Sequence, residues 1–415
     1  MKIFIVTLLF AGTLGIVDAL SAVDERKPAA RPVVGLTLDQ ALEMAESMQP
    51  QLAEAKAMVE AAEGRARQAG AFPNPEAIAG AQQIPFRGSG ANEKEYVAGL
   101  GQTIPLGRRL SKAREAELLD REVRARGLEV KRRDIRKRVH SAFATALYQE
   151  KACQAQMEIE RSAEKAMVMA QARFDAGDAL REDLARTEME LIRAKVELKR
   201  AESLSKQAMV ALASAMGDAT FVVQSLVGKL DDVFEVPTLE SLVKNLASLP
   251  ENGQAEADIR TRNARLNAAK AERIPDVKVE LLYHRLESSR ENTIDVGFSI
   301  PLPLFNRNQG RLREARAELT AAEARSRITY NELTTRLRES HLQLTLALDT
   351  IRTFKTEILG KADIVLKSAE ARYAAGDISL AEILPVRRDW AAMQLSYLES
   401  LRDVMQAWVE VKNFQ

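Results

Sequence analysis

The stretch Ala172-Arg173-Phe174-Asp175-Ala176-Gly177-Asp178 returns 199 residues later as Ala371-Arg372-Tyr373-Ala374-Ala375-Gly376-Asp377. Two other landmarks recur at nearly the same spacing. Thr37-Leu38-Asp39-Gln40-Ala41-Leu42 reappears as Thr238-Leu239-Glu240-Ser241-Leu242, offset by 201 residues, and Ile104-Pro105-Leu106 as Ile300-Pro301-Leu302, offset by 196. Three landmarks in one order at one spacing mean that a unit of about 200 residues occurs twice.

Each unit has the same internal plan. A helix capped near Thr37 and Asp39 runs to about Gly70, interrupted at Pro50 by a stop and restart. Two extended segments follow. Ile294, Val296, Phe298 and Ile300 alternate with Thr293, Asp295, Gly297 and Ser299; Val277, Val279, Leu281 and Tyr283 alternate with Lys278, Glu280, Leu282 and His284. That period of two predicts strands, joined across the polar stretch 287–292. In the first unit Tyr96, Ala98, Leu100 and Ile104 oppose Val97, Gly99, Gly101 and Thr103, with a weaker, Ala-rich partner at about 76–86. Strands of roughly ten residues have the length that a tilted strand needs to cross an outer membrane. Soluble hairpins would show the same alternation.

Two long helices close each unit. Between Arg311 and Tyr373 there is no proline and one glycine, Gly360, which predicts a rod of roughly 90–100 Å. Tyr330, Leu337, Leu344, Ile351, Ile358 and Val365 recur every seventh residue, as do Ile383, Trp390, Tyr397, Val404 and Val411 beyond the turn. The first unit carries Leu184, Leu191, Leu198, Ser205 and Leu212, beside Thr187, Ala194, Ala201, Ala208 and Ala215. Sustained seven-residue spacing predicts helices packed along their lengths, an arrangement a soluble coiled coil would share. At the turns, Gly177 and Gly376 suit a left-handed helix end, and Asp178 and Asp377 are read as caps of the following helices.

The expected divisions are a signal peptide at 1–22, a first repeat at 23–216, a linker at 217–236 and a second repeat at 237–415. In the first repeat, strands lie at about 76–104 and long helices at about 107–174 and 180–216. In the second, strands lie at about 277–300 and long helices at about 310–374 and 379–413. Lys2, the apolar run Ile3 to Val17, and small residues at Ala19 and Ala22 read as a secretory leader; a single membrane anchor would need a longer run and basic flanks.

Composition narrows the function. Cys153 is the only cysteine, so neither a disulfide framework nor a Cys-rich metal site is available. A net charge of +1, from 60 basic and 59 acidic residues, argues against a nucleic-acid binder. Charged residues at 29% with aromatics at 5% suit long helices laced with ion pairs. His140, His284 and His341 lie far apart, without the spacing of a metal site or a nucleophile elbow, so no catalytic residue, metal or cofactor is expected.

Four strands cannot close a barrel, and an open sheet edge in lipid leaves backbone groups unpaired. Neighbouring copies must share one wall. Two copies would give a filled eight-stranded barrel; three give twelve strands and room for a passage.

The duplicated unit, the strand pairs, the Ile-Pro-Leu junctions and the Arg-x-x-x-Gly-Asp turns together resemble the TolC family of outer-membrane efflux proteins over the whole mature chain. Gln102-Thr103-Ile104-Pro105-Leu106-Gly107-Arg108-Arg109 and Ile300-Pro301-Leu302-Pro303-Leu304-Phe305-Asn306-Arg307-Asn308-Gln309-Gly310 resemble its cation-efflux, CzcC-like branch. The resemblance implies a mainly α fold with a small β part: a TolC-like α-helical barrel plus a transmembrane β-barrel, four strands per protomer and twelve in a trimer, in two tandem structural repeats. It implies a homotrimeric exit duct in the outer membrane, projecting into the periplasm. The expected partners are a periplasmic adaptor (membrane fusion) protein, an inner-membrane RND-type pump and outer-membrane lipid. By that resemblance Arg173, Gly177, Asp178, Arg372, Gly376 and Asp377 form the adaptor-docking tips, and Asp183 and Glu382 line a periplasmic gate as rings of carboxylates. Solvated carboxylates at helix N-termini are the plainer reading of those two residues. Pro385 stands where the family has a second acidic residue one turn onward. Heavy-metal cations are the cargo the branch implies. Multidrug efflux or one-step protein secretion, and a structural coiled coil or periplasmic adaptor without a pore, are the alternatives.

Overall fold

A computed structural model describes residues 35–84, 94–230 and 236–415. The expected signal peptide at 1–22 lies outside the described residues, as do 85–93 in the first strand hairpin and 231–235 in the expected linker.

In the first half, β1 (Leu36–Thr37) leads into α1 (Leu38–Met48) and α2 (Pro50–Ala69). Thr37 and Gln40 cap each other reciprocally, which satisfies two of the amide donors that a helix start leaves open. Gln49 is extended (φ −70°, ψ 114°) because the proline after it excludes the helical region, so the chain breaks and restarts at Pro50. β2 (Glu76–Gln82) and β3 (Glu95–Ile104) follow, then α3 (Arg109–Asp175) and α4 (Arg181–Met216). At 67 residues, α3 is about 100 Å long.

The second half repeats this order. After β4 (Leu226–Val227), α5 (Leu239–Asn245) is capped by Thr238, and α6 (Pro250–Ala271) starts on a proline as α2 does. β5 (Val277–Leu286) and β6 (Asn292–Ser299) lead to α7 (Gln309–Thr353), α8 (Leu359–Ala375) and α9 (Leu380–Lys412).

The four longer strands form one antiparallel sheet in the order β2-β3-β5-β6, so the hairpins of the two halves join through β3 and β5. Its register puts Ala77, Ala79, Ala98, Leu100, Val279, Leu281, Ile294, Val296 and Phe298 on one face. Val296 is 73% exposed and Phe298 80%. The other face carries Glu76, Glu95, Lys278, Glu280, His284 and Asp295 with Gly99, Gly101 and Gly297. β2 and β6 each have a neighbour on one side alone, so both edges are open. No helix among the described residues is long and apolar enough to cross a membrane.

The helices pack lengthwise, and the halves interleave: α3 meets α4 and α2 of its own half and α6 and α9 of the other. Leu191, Leu212, Thr187, Ala194 and Ala208 are buried on α4, and Ile383, Val404 and Val411 on α9. The expected seam of the second half breaks between α7 and α8. Leu337 and Leu344 are fully buried, but Val365 is 54% exposed. A π-helical turn, Phe354–Ile358, inserts one residue into the helix here. The inward frame therefore moves from Val365 to Leu366 and Tyr373, and Tyr373 is buried. Tyr330, at the other end of the seam, is exposed because the core joining α7 to α9 begins at Leu333.

An ion-pair cluster ties the halves together. Asp120 on α3, 6% exposed, meets Arg65 of α2 at 3.1 Å, Arg265 of α6 at 3.2 Å and Arg124 at 3.6 Å. A carboxylate this buried needs such partners to offset its desolvation.

Candidate functional site

The long helices reverse at two turns, at the far end of α3 from the sheet. Gly177 (φ +81°) and Gly376 (φ +82°) hold the left-handed conformation that a side chain disfavours. Each turn closes with a bond from the next amide: Asp178 N donates to the Arg173 carbonyl at 2.8 Å, and Asp377 N to that of Arg372 at 2.9 Å.

Asp178 and Asp377 do not cap the following helices. The chain needs two more residues after each before the next helix begins, so neither stands at the cap position. Leu180 is the cap position of α4, and Ser379 that of α9. Leu180 has no side-chain acceptor, whereas Ser379 forms a capping box with Glu382.

The two tips differ in packing. At the second, Ala369, Tyr373, Ile378, Leu380, Ile383 and Leu384 make a small core. Arg173 reaches across from the first: its Nη1 donates to the Tyr373 carbonyl at 3.3 Å, and its guanidinium lies 5.2 Å from the Tyr373 ring centre. Of the six tip residues, Arg173 is half-buried in this bridge, while Gly177, Asp178, Arg372, Gly376 and Asp377 are exposed.

Asp183 and Glu382 occupy the same third position of α4 and α9. Both the Ser379 N–H and the Ser379 hydroxyl donate to Glu382 Oε2 at 2.8 Å. The amide donation first, the hydroxyl next and the charge of Arg372 hold the exposed Glu382 carboxyl below the usual carboxylate range. Leu180, which stands where Ser379 does, offers Asp183 no such hydroxyl. Pro385, inside α9, cannot donate to the Ala381 carbonyl.

Above this level sits a set of cross-links that sequence reasoning missed. Arg388 of α9 grips Glu190 of α4 with two bonds, at 2.9 and 2.7 Å. Arg387 pairs with Glu370 at 2.9 Å and donates to the Ser162 carbonyl, and Trp390 Nε1 donates to Asp363 at 2.7 Å. A cavity of about 160 Å³ remains among them, with Ala166, Ala194, Leu366 and Leu384 in its lining. The signal was available in part: an Arg-Arg pair interrupting the apolar spacing of α9.

The polar sheet face holds its own network. His284 Nδ1 lies 2.5 Å from Glu95, and Nε2 lies 3.2 Å from Asp295, so one side chain spans β3, β5 and β6. Lys278 joins Glu76 at 2.9 Å and Glu280 at 3.1 Å. His140, by contrast, is buried on α3 with its ring edge-on to Trp408. His341 is partly buried on α7. Among the described residues no group of three His, Cys, Asp or Glu side chains is placed to hold a metal ion.

Comparison with known proteins agrees with this architecture. The family described as "Outer membrane efflux protein" matches residues 41–218 and 243–414. The chain is 27% identical to the cobalt-zinc-cadmium resistance protein CzcC of Cupriavidus metallidurans over 373 residues, 90% of this chain and 88% of that protein. Among solved structures, a membrane protein from Pseudomonas aeruginosa superposes with a TM-score of 0.78 at 19% identity, covering 91% of this chain and 92% of that one. The Campylobacter jejuni CmeC outer membrane channel does so with a TM-score of 0.79 at 15% identity, covering 91% and 85%.

Proposed function

We propose, from the premise that this chain belongs to the outer membrane efflux protein family, that three copies close one barrel and form the exit duct of a tripartite, proton-driven metal-cation efflux system. The observation that carries this reading is the sheet. It is apolar on one face, charged and glycine-bearing on the other, and open at both edges. In lipid those edges must be paired, and β6 of one copy against β2 of the next would pair them. Twelve strands leave a water-filled passage. The helices continue it as a tunnel about 100 Å deep into the periplasm.

At the far end, Arg173, Gly177, Asp178, Arg372, Gly376 and Asp377 meet a periplasmic adaptor, which couples the duct to an inner-membrane RND-type pump. Exposure of five of these six at the turns favours that role. Asp183 and Glu382, repeated around a threefold axis, make rings of negative charge at the periplasmic gate. The clamp on Glu382 keeps its ring ionised and so attractive to cations. The metal cargo is supported by the likeness to the Cupriavidus metallidurans protein, named for cobalt, zinc and cadmium resistance, and by the Glu, Asp and His side chains on the polar sheet face. A duct of this kind is passive, and no catalytic group is needed.

The test is fractionation of the full chain, conductance in planar bilayers, and challenge of a deletion strain. The expected result is a heat-labile outer-membrane trimer that conducts ions, and sensitivity to cobalt, zinc or cadmium on deletion. Sensitivity to organic drugs alone, or loss of a secreted protein, would replace the cargo. A soluble periplasmic monomer would overturn the duct.

A further inference from the structure

The two strand-to-helix junctions match up to a point and then part. Ile104-Pro105-Leu106 reaches Arg108 (φ +57°), the left-handed residue before α3, through Gly107 alone. Ile300-Pro301-Leu302 reaches its counterpart Asn308 (φ +59°) through five residues, Pro303 to Arg307. The second junction is thus four residues longer than the first, and its connecting segment reads Pro-Leu-Phe-Asn-Arg.

The longer loop is held firmly. Leu304 N donates to the Leu302 carbonyl at 2.9 Å, Arg307 N to Gln309 Oε1 at 2.8 Å, and Gln309 Nε2 to the Phe305 carbonyl at 3.2 Å. Asn308 Nδ2 anchors the loop to the Ala269 carbonyl on α6 at 2.9 Å. Yet Phe305 is 92% exposed, Leu302 76% and Leu304 63%. Water-exposed apolar side chains on a well-braced loop mark a contact surface.

Two observations say what covers it. The loop follows directly on β6, whose apolar face carries Ile294, Val296 and Phe298, so its exposed Leu302, Leu304 and Phe305 lie at the helix-side end of the sheet's apolar band. Beside the loop an open cleft of about 750 Å³ is lined by four arginines. Arg109 is answered by Asp276 at 2.9 Å and Arg311 by Glu272 at 2.8 Å. Arg273 and Arg307 have no carboxylate within 4.0 Å among the described residues. Acyl chains above and a phosphate below are what one glycerophospholipid offers, and the helix-side end of the band is where headgroups lie.

We infer that this loop anchors the duct to the periplasmic leaflet: Leu302, Leu304 and Phe305 enter the acyl region, and Arg273 and Arg307 hold the phosphate of a bound phospholipid. The inference rests on the outer-membrane reading above, so its test separates the two. Phe305→Trp and Phe298→Trp are reconstituted as full chains in phosphatidylethanolamine–phosphatidylglycerol vesicles containing lipids brominated near the glycerol end or deep in the chain. The natural Trp390 and Trp408 both lie on α9 and supply the background.

The expected result is quenching at both new positions, with position 305 favouring the shallow bromines. Quenching at 298 but not 305 would mean that a neighbouring copy covers the loop, and the anchor falls. Quenching at neither would remove the barrel reading itself. Arg273→Gln with Arg307→Gln should weaken retention of phosphatidylglycerol in native mass spectra by about fivefold per arginine removed, with the heat-labile trimer intact. Unchanged retention would refute the headgroup contact.

Discussion

Replacing Gly376 with alanine should loosen the second tip without touching anything around it. An added Cβ would have Arg173 Nη2, at 4.0 Å, as its nearest neighbour, which is ordinary contact. The whole penalty is therefore in the backbone: at φ +82° an L-residue costs about 1–2 kcal/mol. Carried by the local opening of this turn, that becomes about a fivefold to thirtyfold rise in the open population. Hydrogen exchange of amides 372–384 reads it directly, whereas a global melting scan would dilute it. Gly177→Ala should behave alike, since its φ is +81° and nothing lies within 4 Å of an added Cβ. Gly360→Ala is the control of opposite sign. That glycine is helical with open space around it, so alanine should tighten α8 by up to about 1 kcal/mol. If Gly376→Ala and Gly360→Ala shift protection in the same direction, or Gly376→Ala shifts nothing, the left-handed requirement at the tip is wrong.

Burial, then the charge of Lys412, pushes His140 down to about 4. An unfolded chain therefore binds a proton that the folded one refuses between its ordinary value and about pH 4, and stability falls as pH drops through that window. The full loss is on the order of 3 kcal/mol, and His140→Phe should flatten it in urea midpoints taken along that range. Asp120→Ala leaves Arg65 and Arg265 without their shared carboxylate. Because both arginines are partly solvated, the expected loss is about 2 kcal/mol, seen as a lower denaturant midpoint at an unchanged slope. The Glu382 carboxyl, held below its ordinary value, keeps its charge to lower pH than a free glutamate, and its contribution is lost as pH falls through that lowered value. Ser379→Ala removes one of the donors that hold it there, so the acid loss of cation preference in bilayer currents should move to higher pH; an unmoved profile would detach Glu382 from the gate. Arg388→Ala should cost under about 1 kcal/mol in stability, because its pair with Glu190 is partly exposed. The charge exchange Glu190→Arg with Arg388→Glu should recover that loss in a denaturant midpoint, and failure of the exchange would count against a direct pairing of the two side chains.

Much of this fold can be read along the chain. The duplication, the strand alternation and the seven-residue spacing are one-dimensional patterns, because each reflects which side of an element avoids water. The same is true of Pro50, which cannot follow a helical residue comfortably, and of Gly376, whose turn demands a missing side chain. Such features depend on neighbours a few positions away. The antiparallel register of β3 against β5, from Glu95 opposite Leu286 to Ile104 opposite Val277, had no such local signature.

The features that escaped are those in which distant residues compete for one another. Asp178 and Asp377 look like helix caps, but each turn runs two residues further before its helix starts, which puts Leu180 and Ser379 at the cap positions. Val365 belongs to a perfect heptad on paper, but the π turn at Phe354–Ile358 rotates it out and brings Tyr373 in. Arg173 looks like a surface docking residue, and it also bridges to the Tyr373 carbonyl 200 residues away. Arg388 and Glu190, or Arg65, Asp120 and Arg265, carry no motif, because an ion pair constrains positions in space and leaves the spacing along the chain free. Periodic burial is written locally, so it survives in the sequence; pairing between helices is chosen when the chain packs, and three dimensions are needed to see it.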